Sequence, residues 1–224
     1  MKILSIIPAR KGSKDIKNKN LVKFKGKPLI FHSIRVSKKI KSITTFVSTD
    51  SKKILQYAKK KGIQFNYLRP KFLAKDKSNV IDAVFHALKW FKERKVNFDA
   101  ILLLQPTSPL RKESDVIKMI KIFKKKNMQS IMSVSKAREH PFKLIKINKR
   151  KWNFLEKNKK NFFNRQQYPQ NYFVEDGNIY LAKISFLKRY KSFSVINKTN
   201  LYKLYHYPYI DINNHTDLKI AKLF

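Results

Sequence analysis

The sequence predicts an α/β fold built on a mainly parallel β-sheet. Apolar runs of strand length alternate with amphipathic helical stretches through the first two thirds of the chain, as in consecutive βαβ units. The run over Asp99–Leu104 contains four consecutive aliphatic residues, which indicates a central strand covered on both faces. A length of 224 residues fits one domain with a single core.

The amino-terminal third is predicted to alternate strand and helix twice. Pro28 suits the first turn of a helix, and Gly62 suits the residue that follows one. Either Asp50 or Ser51 is expected to cap the second helix. The elements predicted here are a strand over Lys2–Ile7, a polar loop over Arg10–Asn20, a helix over Pro28–Lys39, a strand over Thr45–Thr49 and a helix ending at Gly62.

The central third continues the same alternation. Residues Asn79–Phe91 place apolar side chains on one face, which predicts an amphipathic helix packed on the sheet. The strand over Asp99–Leu104 follows, then a helix over Glu113–Lys126 and a strand over Ser130–Val134.

Residues 137–175 lack helical periodicity and are predicted to leave the main sheet. Two interpretations remain open, a β-arm used for self-association and a long mobile loop. Strand patterns return at Gly177–Lys183 and at His206–Ile212, and a short carboxyl-terminal helix follows.

The net charge is strongly positive, with 52 Lys plus Arg against 14 Asp plus Glu, or +38. A basic surface can bind nucleic acid through its phosphates. The lysines are, however, dispersed along every predicted helix and loop instead of forming one face or tail, which argues against a nucleic-acid partner. Such a surface would also attract a small anion such as a nucleoside triphosphate.

The sequence has features of a cytoplasmic, soluble protein with no membrane partner. It contains no cysteine, which excludes disulfides and thiolate metal sites. The apolar run Ile3–Pro8 is too short for a signal peptide and lacks a cleavage pattern. No segment approaches the roughly 20 apolar residues of a membrane-spanning helix.

The loop after the first predicted strand has the features of an anion site. Gly12 would tolerate the positive φ that lets backbone N–H groups turn toward a phosphate. Arg10, Lys14 and Lys19 could neutralise a triphosphate. The spacing is not that of a P-loop, and in so lysine-rich a chain an ordinary solvated loop remains the alternative.

A second polar loop, Gln105–Arg111, follows the most hydrophobic strand. Open α/β sheets bind ligands beyond the carboxyl ends of their strands, and two prolines stiffen this loop. Its hydrogen-bonding side chains suit a polyhydroxylated sugar. Arg111 is more ambiguous, because it could instead bond to the following helix.

These motifs together resemble the acylneuraminate cytidylyltransferases, the CMP-sialic acid synthetase family. The resemblance spans nearly the whole chain. It implies a Rossmann-like nucleotidyltransferase (GT-A-like) three-layer sandwich, a single domain over residues 1–224 and a dimerisation arm over 137–175. The motifs are Ile7–Arg10, Gly12–Lys14, Lys19–Leu21, Val47–Asp50, Arg69–Pro70, Leu103–Arg111, Arg165–Gln167, Gly177–Tyr180 and Ile210–Ile212.

The resemblance also implies roles for individual residues. Arg10, Lys19 and Asp211 would be catalytic. Lys143 and Arg165 would come from the partner's arm in a homodimer. The nucleotide CTP would contact Ala9, Arg10, Gly12, Ser13, Lys14, Asn20 and Arg69, and the acidic nine-carbon sugar would contact Gln105, Thr107, Ser108, Lys143, Arg165 and Tyr180.

The expected magnesium site departs from the family pattern. Relatives carry Asp-x-Asp where this chain has Asp211 and Asn213, which share one face if the segment is a strand. Asparagine offers a carbonyl oxygen without a charge, so weaker magnesium binding or the loss of a second ion is expected. Asp176 stands where relatives have asparagine, and one hypothesis is that it restores the missing charge.

The implied function is transfer of CMP from CTP to the anomeric hydroxyl of a nonulosonic, sialic-acid-like sugar, with release of pyrophosphate. Two alternatives remain open. One is a cytidylyltransferase for another keto-sugar acid, such as legionaminic, pseudaminic or octulosonic acid, although Lys19–Leu21 favours the sialic-like branch over the octulosonate branch. The other is a basic nucleic-acid-binding protein on a degenerate transferase fold.

Overall fold

The structure is a computed structural model that describes residues 1–149, 151–156, 164, 166, 168–205 and 210–224. Its elements are β1 (Ile3–Pro8), β2 (Lys23–Phe24), β3 (Lys27–Pro28), α1 (Leu29–Lys39), β4 (Ile43–Ser48), α2 (Lys52–Lys60), α3 (Val80–Lys92), β5 (Ala100–Leu103), α4 (Glu113–Lys125), β6 (Ser130–Lys136), β7 (Ile145–Asn148), β8 (Lys151–Phe154), β9 (Phe173–Lys183), α5 (Ile184–Tyr190), β10 (Asn200–Leu204) and α6 (His215–Lys222). Short 3₁₀ turns cover Lys19–Leu21, Lys71–Ala74 and Pro141–Lys143.

A six-stranded sheet forms the centre, in the order β10-β6-β9-β5-β1-β4. Strand β1 pairs in parallel with β4 and β5, and β10 pairs in parallel with β6. Strand β9 lies between β5 and β6 and runs antiparallel to both. The predicted mainly parallel sheet is therefore confirmed, with β9 as its reversed strand.

Hydrophobic cores cover both faces of this sheet, because successive side chains of a strand point to opposite faces. Ile3 and Ile7 of β1 belong to a core shared with α1, α2 and α4. Leu4 and Ile6 belong to a second core shared with α3 and α5. The predicted three-layer arrangement is confirmed.

A third, smaller core joins the two ends of the chain. Ile16, in the loop after β1, clusters with Ile210, Ile212 and with Leu218 of α6. The loop that follows the first strand therefore packs directly against the segment near the carboxyl terminus.

The structure refines the predicted element boundaries in several places. Ser51, not Asp50, caps α2, because its side chain accepts a hydrogen bond from the Ile54 N–H at 3.4 Å. Helix α5 and strand β10 were not predicted. The predicted strand over His206–Ile212 is not confirmed: residues 206–209 lie outside the described part of the chain, and Ile210–Ile212 are not in a strand.

Within the predicted arm, β7 and β8 form an antiparallel hairpin. Ile145 pairs with Phe154 and Ile147 pairs with Trp152, so these apolar side chains share one face of the hairpin. Ile147 is 66% exposed and Trp152 is 57% exposed. This apolar face is therefore not covered by the described part of its own chain.

Among the described helices, none has the length and apolar character needed to span a bilayer.

Candidate functional site

A polar cleft of about 290 Å³ opens beyond the carboxyl ends of β1 and β5. This is the edge at which open α/β sheets bind ligands. The cleft is lined by Pro8, Arg10, Gly12, Ser13, Lys19, Asn20, Arg69, Leu73, Lys75, Asp76, Ser78, Val80, Gln105, Pro106, Thr107 and Asn213.

The loop after β1 is held by hydrogen bonds, and its Arg10, Ser13 and Lys19 line the cleft. The Ala9 N–H donates to the Ser48 carbonyl at 2.9 Å, and Ala9 is fully buried. Asn20 Nδ2 donates to the Arg10 carbonyl at 2.9 Å. The Lys11 N–H donates to Asp50 Oδ1 at 2.7 Å, so the carboxylate considered as a helix cap instead fixes this loop.

The expected left-handed conformation at Gly12 is wrong. The glycines with positive φ are Gly26, Gly62 and Gly177, and the residue with positive φ in the first loop is Asn18, at 54°. Asparagine tolerates this region better than most residues, and Asn18 uses it to start the 3₁₀ turn Lys19–Leu21.

The cations of this loop have different partners. Arg10 Nη1 donates to Asp76 Oδ1, and Lys14 Nζ lies 3.8 Å from Asp76 Oδ2. Lys19 Nζ donates to the Ile212 carbonyl at 3.0 Å. Burial lowers the pKa of Lys19, and the nearby Asp211 carboxylate opposes that shift. Lys19 thus connects the first loop to the segment that carries Asp211.

Arg69 places a buried cation at the wall of the cleft. It is 6% exposed, and its Nη2 donates to the Ser48 carbonyl at 2.5 Å. A weaker bond of 3.4 Å joins Nη1 to the Leu73 carbonyl, and Nε is buried without a partner among the described residues. Burial lowers the pKa of Arg69. The unpaired N–H gives the site an unused donor beside the cleft.

Arg111 is a structural centre for the loops of this edge. It is 4% exposed. Its Nε donates to the Asn178 carbonyl at 2.8 Å, Nη1 to Ser33 Oγ at 2.9 Å and Nη2 to the Gln105 carbonyl at 2.9 Å. Burial lowers the pKa of Arg111 to about 9, and the nearby carboxylates oppose the shift. Arg111 therefore joins three segments and does not simply bond to the following helix.

Asp176 supplies a buried negative charge near Arg111. It is 1% exposed. Its Oδ1 accepts from Ser133 Oγ at 2.6 Å and from the Asn178 N–H at 2.9 Å, and its Oδ2 accepts from Ser135 Oγ at 2.8 Å. Both oxygens are thus already hydrogen-bonded by the protein. Asp176 therefore fixes the surrounding segments in place, and it has no free oxygen of the kind that an open metal site offers.

A second, acidic cavity adjoins the cleft and shares Asn213 with it. Glu175, Asp176, Asp211 and Asp217 contribute its carboxylates. Asp217 bonds the Asn213 and Asn214 N–H groups and forms the capping box of α6. Its carboxylate is therefore engaged as a helix cap.

Asp211 carries the oxygen best suited to a cation. Its Oδ2 accepts from Asn213 Nδ2 at 2.9 Å, while Oδ1 is buried without a partner among the described residues. No group of three or more acidic or histidine side chains in those residues is arranged to hold a metal. One carboxylate with a neighbouring amide nevertheless fits Mg²⁺, which takes one or two carboxylates and completes its shell with water and phosphate.

Several predicted contacts lie away from the cleft. Ser108 is 4% exposed and its hydroxyl donates to the Gly177 carbonyl at 3.4 Å. Tyr180 is buried in the core with α3, and its hydroxyl donates to Glu175 Oε1 at 2.7 Å. Lys143 lines a separate cavity with His140 and aromatic residues. Arg165 lies outside the described residues.

Sequence reasoning missed Asp76 as a residue of this cleft. It lies between Lys75 and Lys77 in a loop with no regular pattern, which gave no reason to select it. The low number of acidic residues, 14 Asp and Glu in 224 residues, could have drawn attention to Asp76. An isolated carboxylate among lysines is a candidate partner for cations brought near by the fold.

Comparisons with known proteins agree with this geometry. A family model described as cytidylyltransferase matches residues 4–206. The chain is 43% identical over 136 residues to the CMP-N,N'-diacetyllegionaminic acid synthase of Legionella pneumophila, a match that covers 60% of this chain and 58% of that protein. It is 32% identical over 227 residues to post-translational flagellin modification protein B of Campylobacter coli, covering 98% and 93% respectively.

Among solved structures, CMP:2-keto-3-deoxy-manno-octonic acid synthetase complexed with CTP superposes with a TM-score of 0.68 at 17% identity, covering 100% of this chain and 98% of that chain. At this identity the match shows a shared fold. The Legionella match spans less than two thirds of its relative, whereas the Campylobacter match spans nearly all of it.

We expect Asp176→Asn to lower the free energy of unfolding by about 2–3 kcal/mol, because it removes a charged acceptor from three donors and the charge near Arg111. Urea denaturation measures this change. Asp15→Asn, at an exposed position, should change stability by less than about 0.5 kcal/mol. Equal stability of the two variants would contradict the anchor role.

The same Asp176→Asn variant also tests whether Asp176 compensates for the missing charge at Asn213. An unchanged magnesium requirement in active Asp176→Asn protein would discard that hypothesis.

Proposed function

Because the chain belongs to the cytidylyltransferase family, we propose that it transfers CMP from CTP to the anomeric hydroxyl of an acidic nonulosonic sugar and releases pyrophosphate. The observation that carries this proposal is the meeting of two distant segments. Arg10 and Lys19 line the same cleft as Asn213, and Lys19 donates to the residue that follows Asp211. Cations of the kind that hold phosphate and a carboxylate of the kind that holds Mg²⁺ thus adjoin one cleft.

The nucleotide would bind at the loop after β1. Arg10, Lys14 and Lys19 supply three positive charges for the triphosphate, and arginine can hold two phosphate oxygens together. The anomeric oxygen attacks the α-phosphorus, and the bond to the β-phosphate breaks. The same cations stabilise the charge that grows on the leaving pyrophosphate. We assign Ala9, Gly12, Ser13, Asn20 and Arg69 to nucleotide binding on the same reasoning.

The sugar would bind beside Gln105 and Thr107, which line the cleft next to Pro106. The Gln105 carbonyl is fixed by Arg111 and Ser33, and the Thr107 carbonyl accepts from the Ile212 N–H at 2.8 Å. A loop fixed at both points can hold the attacking hydroxyl in line, which lowers the entropic part of the barrier.

A magnesium ion would be held by Asp211 and Asn213. When bound, it would withdraw charge from the phosphate oxygens as a Lewis acid. The buried, unpaired Asp211 Oδ1 supports this assignment. The amide at Asn213 contributes no charge, so we propose a weaker site than one with two carboxylates.

The relatives narrow the class of sugar. The Legionella protein is named for a legionaminic acid product, which supports a nonulosonic acid as the acceptor. Sialic, legionaminic and pseudaminic acids share the carboxylate and the anomeric hydroxyl that the proposed chemistry uses. We therefore propose a nonulosonic acid as the acceptor, without choosing among the three. Octulosonic acid is the comparison acceptor in the assay below.

Incubation with CTP, Mg²⁺ and each of these four sugar acids should release pyrophosphate with at least one nonulosonic acid, measured by a coupled pyrophosphate assay. Arg10→Ala should lower the rate by about 100-fold, because one stabilising donor is lost from the leaving group. Arg94→Ala removes an exposed arginine beyond the far end of α3 and should leave the rate unchanged. Absence of pyrophosphate with every sugar, together with duplex binding that weakens steeply as salt rises, would instead support the nucleic-acid alternative.

We expect Asn213→Asp to lower the magnesium concentration needed for half-maximal activity by about tenfold, because a second carboxylate would contact the ion. Asn214→Asp adds the same charge at the cap of α6 and is the matched control. A magnesium titration of the pyrophosphate rate compares them. An equal shift in both variants would show that general charge, and not ligation by residue 213, sets the affinity.

We further propose that residues 1–224 form one catalytic domain and that the arm within 137–175 joins two copies of the chain. The apolar face formed by Ile145, Ile147 and Trp152 supports this proposal, since such a face is normally covered. Lys143 lies in a cavity separate from the cleft of its own chain. A contact from Lys143 to the sugar would therefore come from the partner subunit, and we assign Arg165 the same role on the family resemblance alone.

Ile147→Asp should raise the dimer dissociation constant by about 30-fold or more, equivalent to about 2 kcal/mol, because it places a charge in the apolar face. Lys146→Asp introduces the same residue on the opposite, polar face of the hairpin and should have little effect. Sedimentation velocity over a concentration series measures both. A wild-type protein that stays monomeric, or equal weakening by both variants, would contradict the arm proposal.

A further inference from the structure

Two cations of the first loop, Arg10 and Lys14, contact a carboxylate of the protein itself. Arg10 Nη1 donates to Asp76 Oδ1, and Lys14 Nζ lies 3.8 Å from Asp76 Oδ2. The Arg10 side chain is 34% exposed and that of Asp76 is 46% exposed, so the pair lies at the mouth of the cleft. These are two of the three cations assigned above to the triphosphate.

The contacts of Asp76 favour its ionised form. The hydrogen bond from Arg10 lowers the pKa of Asp76, with smaller contributions from the charges of Arg10 and Lys14. Lys75 and Lys77 flank it in the chain. At neutral pH, a negative charge of the protein therefore occupies the place where phosphate charge is expected.

The loop that carries Asp76 is a compact unit with few anchors on the rest of the protein. Ser78 Oγ accepts from the Lys75 N–H at 3.0 Å and donates to the Phe72 carbonyl at 3.0 Å, which closes the loop on itself. Phe72 is 64% exposed. Outside the loop, a 3.4 Å bond from Arg69 reaches the Leu73 carbonyl. Such a unit can move away from the cleft without breaking its internal bonds.

We propose that Asp76 competes with phosphate groups for Arg10 and Lys14. In the nucleotide-free protein it occupies both cations, the triphosphate displaces it, and it returns as pyrophosphate leaves. Asp76 thereby weakens the binding of CTP and pyrophosphate and speeds the release of pyrophosphate. This inference rests on the proposed function, because it requires that the β- and γ-phosphates use Arg10 and Lys14.

The competition affects ligands unequally. A ligand that binds Arg10 and Lys14 can do so only when Asp76 has released them. Its observed affinity is therefore lowered in proportion to the fraction of protein in which the two cations are free of Asp76. CMP lacks the β- and γ-phosphates, so it leaves the pair intact. Removing the charge of Asp76 should therefore strengthen pyrophosphate and CTP binding and leave CMP binding unchanged.

Asp76→Asn tests this selectivity, because it keeps the shape of the side chain and removes its charge. We expect the variant to bind pyrophosphate and CTP about three- to fivefold more tightly, within the range of an exposed ion pair, and CMP as the wild type does. Isothermal titration calorimetry with each of the three ligands measures this. Asp76→Glu restores the charge and should return all three affinities toward wild type.

Glu93→Gln is the matched control, because it makes the same change in net charge beyond the far end of α3, about 20 Å from the end that lines the cleft. It should leave all three affinities unchanged. Equal tightening in Glu93→Gln would show a general charge effect and overturn the proposal. Equal or weaker pyrophosphate binding by Asp76→Asn would overturn it as well.

The pyrophosphate titration separates this inference from the proposed function. If the wild type binds pyrophosphate but not CTP, the proposed function fails while the comparison of Asp76→Asn with wild type still decides whether Asp76 competes with phosphates. If neither protein binds pyrophosphate, the assignment of Asp76 as a competitor fails.

Discussion

The candidate site depends on the packing of the loop after β1 against the segment before α6. Ile16 clusters with Ile212 and Leu218, and two hydrogen bonds add to this contact, from Lys19 to the Ile212 carbonyl and from the Ile212 N–H to the Thr107 carbonyl. Residues almost two hundred positions apart are thus held at contact distance. Without this small core, the cations and Asp211 would belong to independent loops.

Beneath this contact, buried charges hold the rest of the edge in place. Arg111 satisfies the carbonyls of Gln105 and Asn178, and Asp176 satisfies two serine hydroxyls and a backbone N–H. A buried charge that lost its partners would destabilise the fold by several kcal/mol. The groups that bond Arg111 and Asp176 must therefore keep both their positions and their hydrogen-bonding chemistry. A very basic protein has thus placed one of its few acids in its interior.

The sequence predicted the parts of the structure that follow local rules. Apolar runs located β1 and β5, and an apolar face with helical spacing located α3. The motifs around Arg10 and Gln105 predicted residues that the structure places in one cleft. Side-chain direction could not be predicted where neighbouring residues diverge, as at Thr107, which lines the cleft, and the buried Ser108. Asp76 was missed because its partners lie far away in sequence, and only the tertiary fold makes them neighbours.

The reversed strand β9 has a consequence for how this architecture can diversify. Strand β6 ends, and β9 begins, at the edge where the cleft opens, so the segment that connects them starts and finishes at that edge. Insertions or deletions in residues 137–172 can therefore remodel the rim of the cleft while the pairing of β6 with β9 stays intact. The architecture thus separates the strands that carry the cleft from a connecting segment whose length can change without altering their pairing.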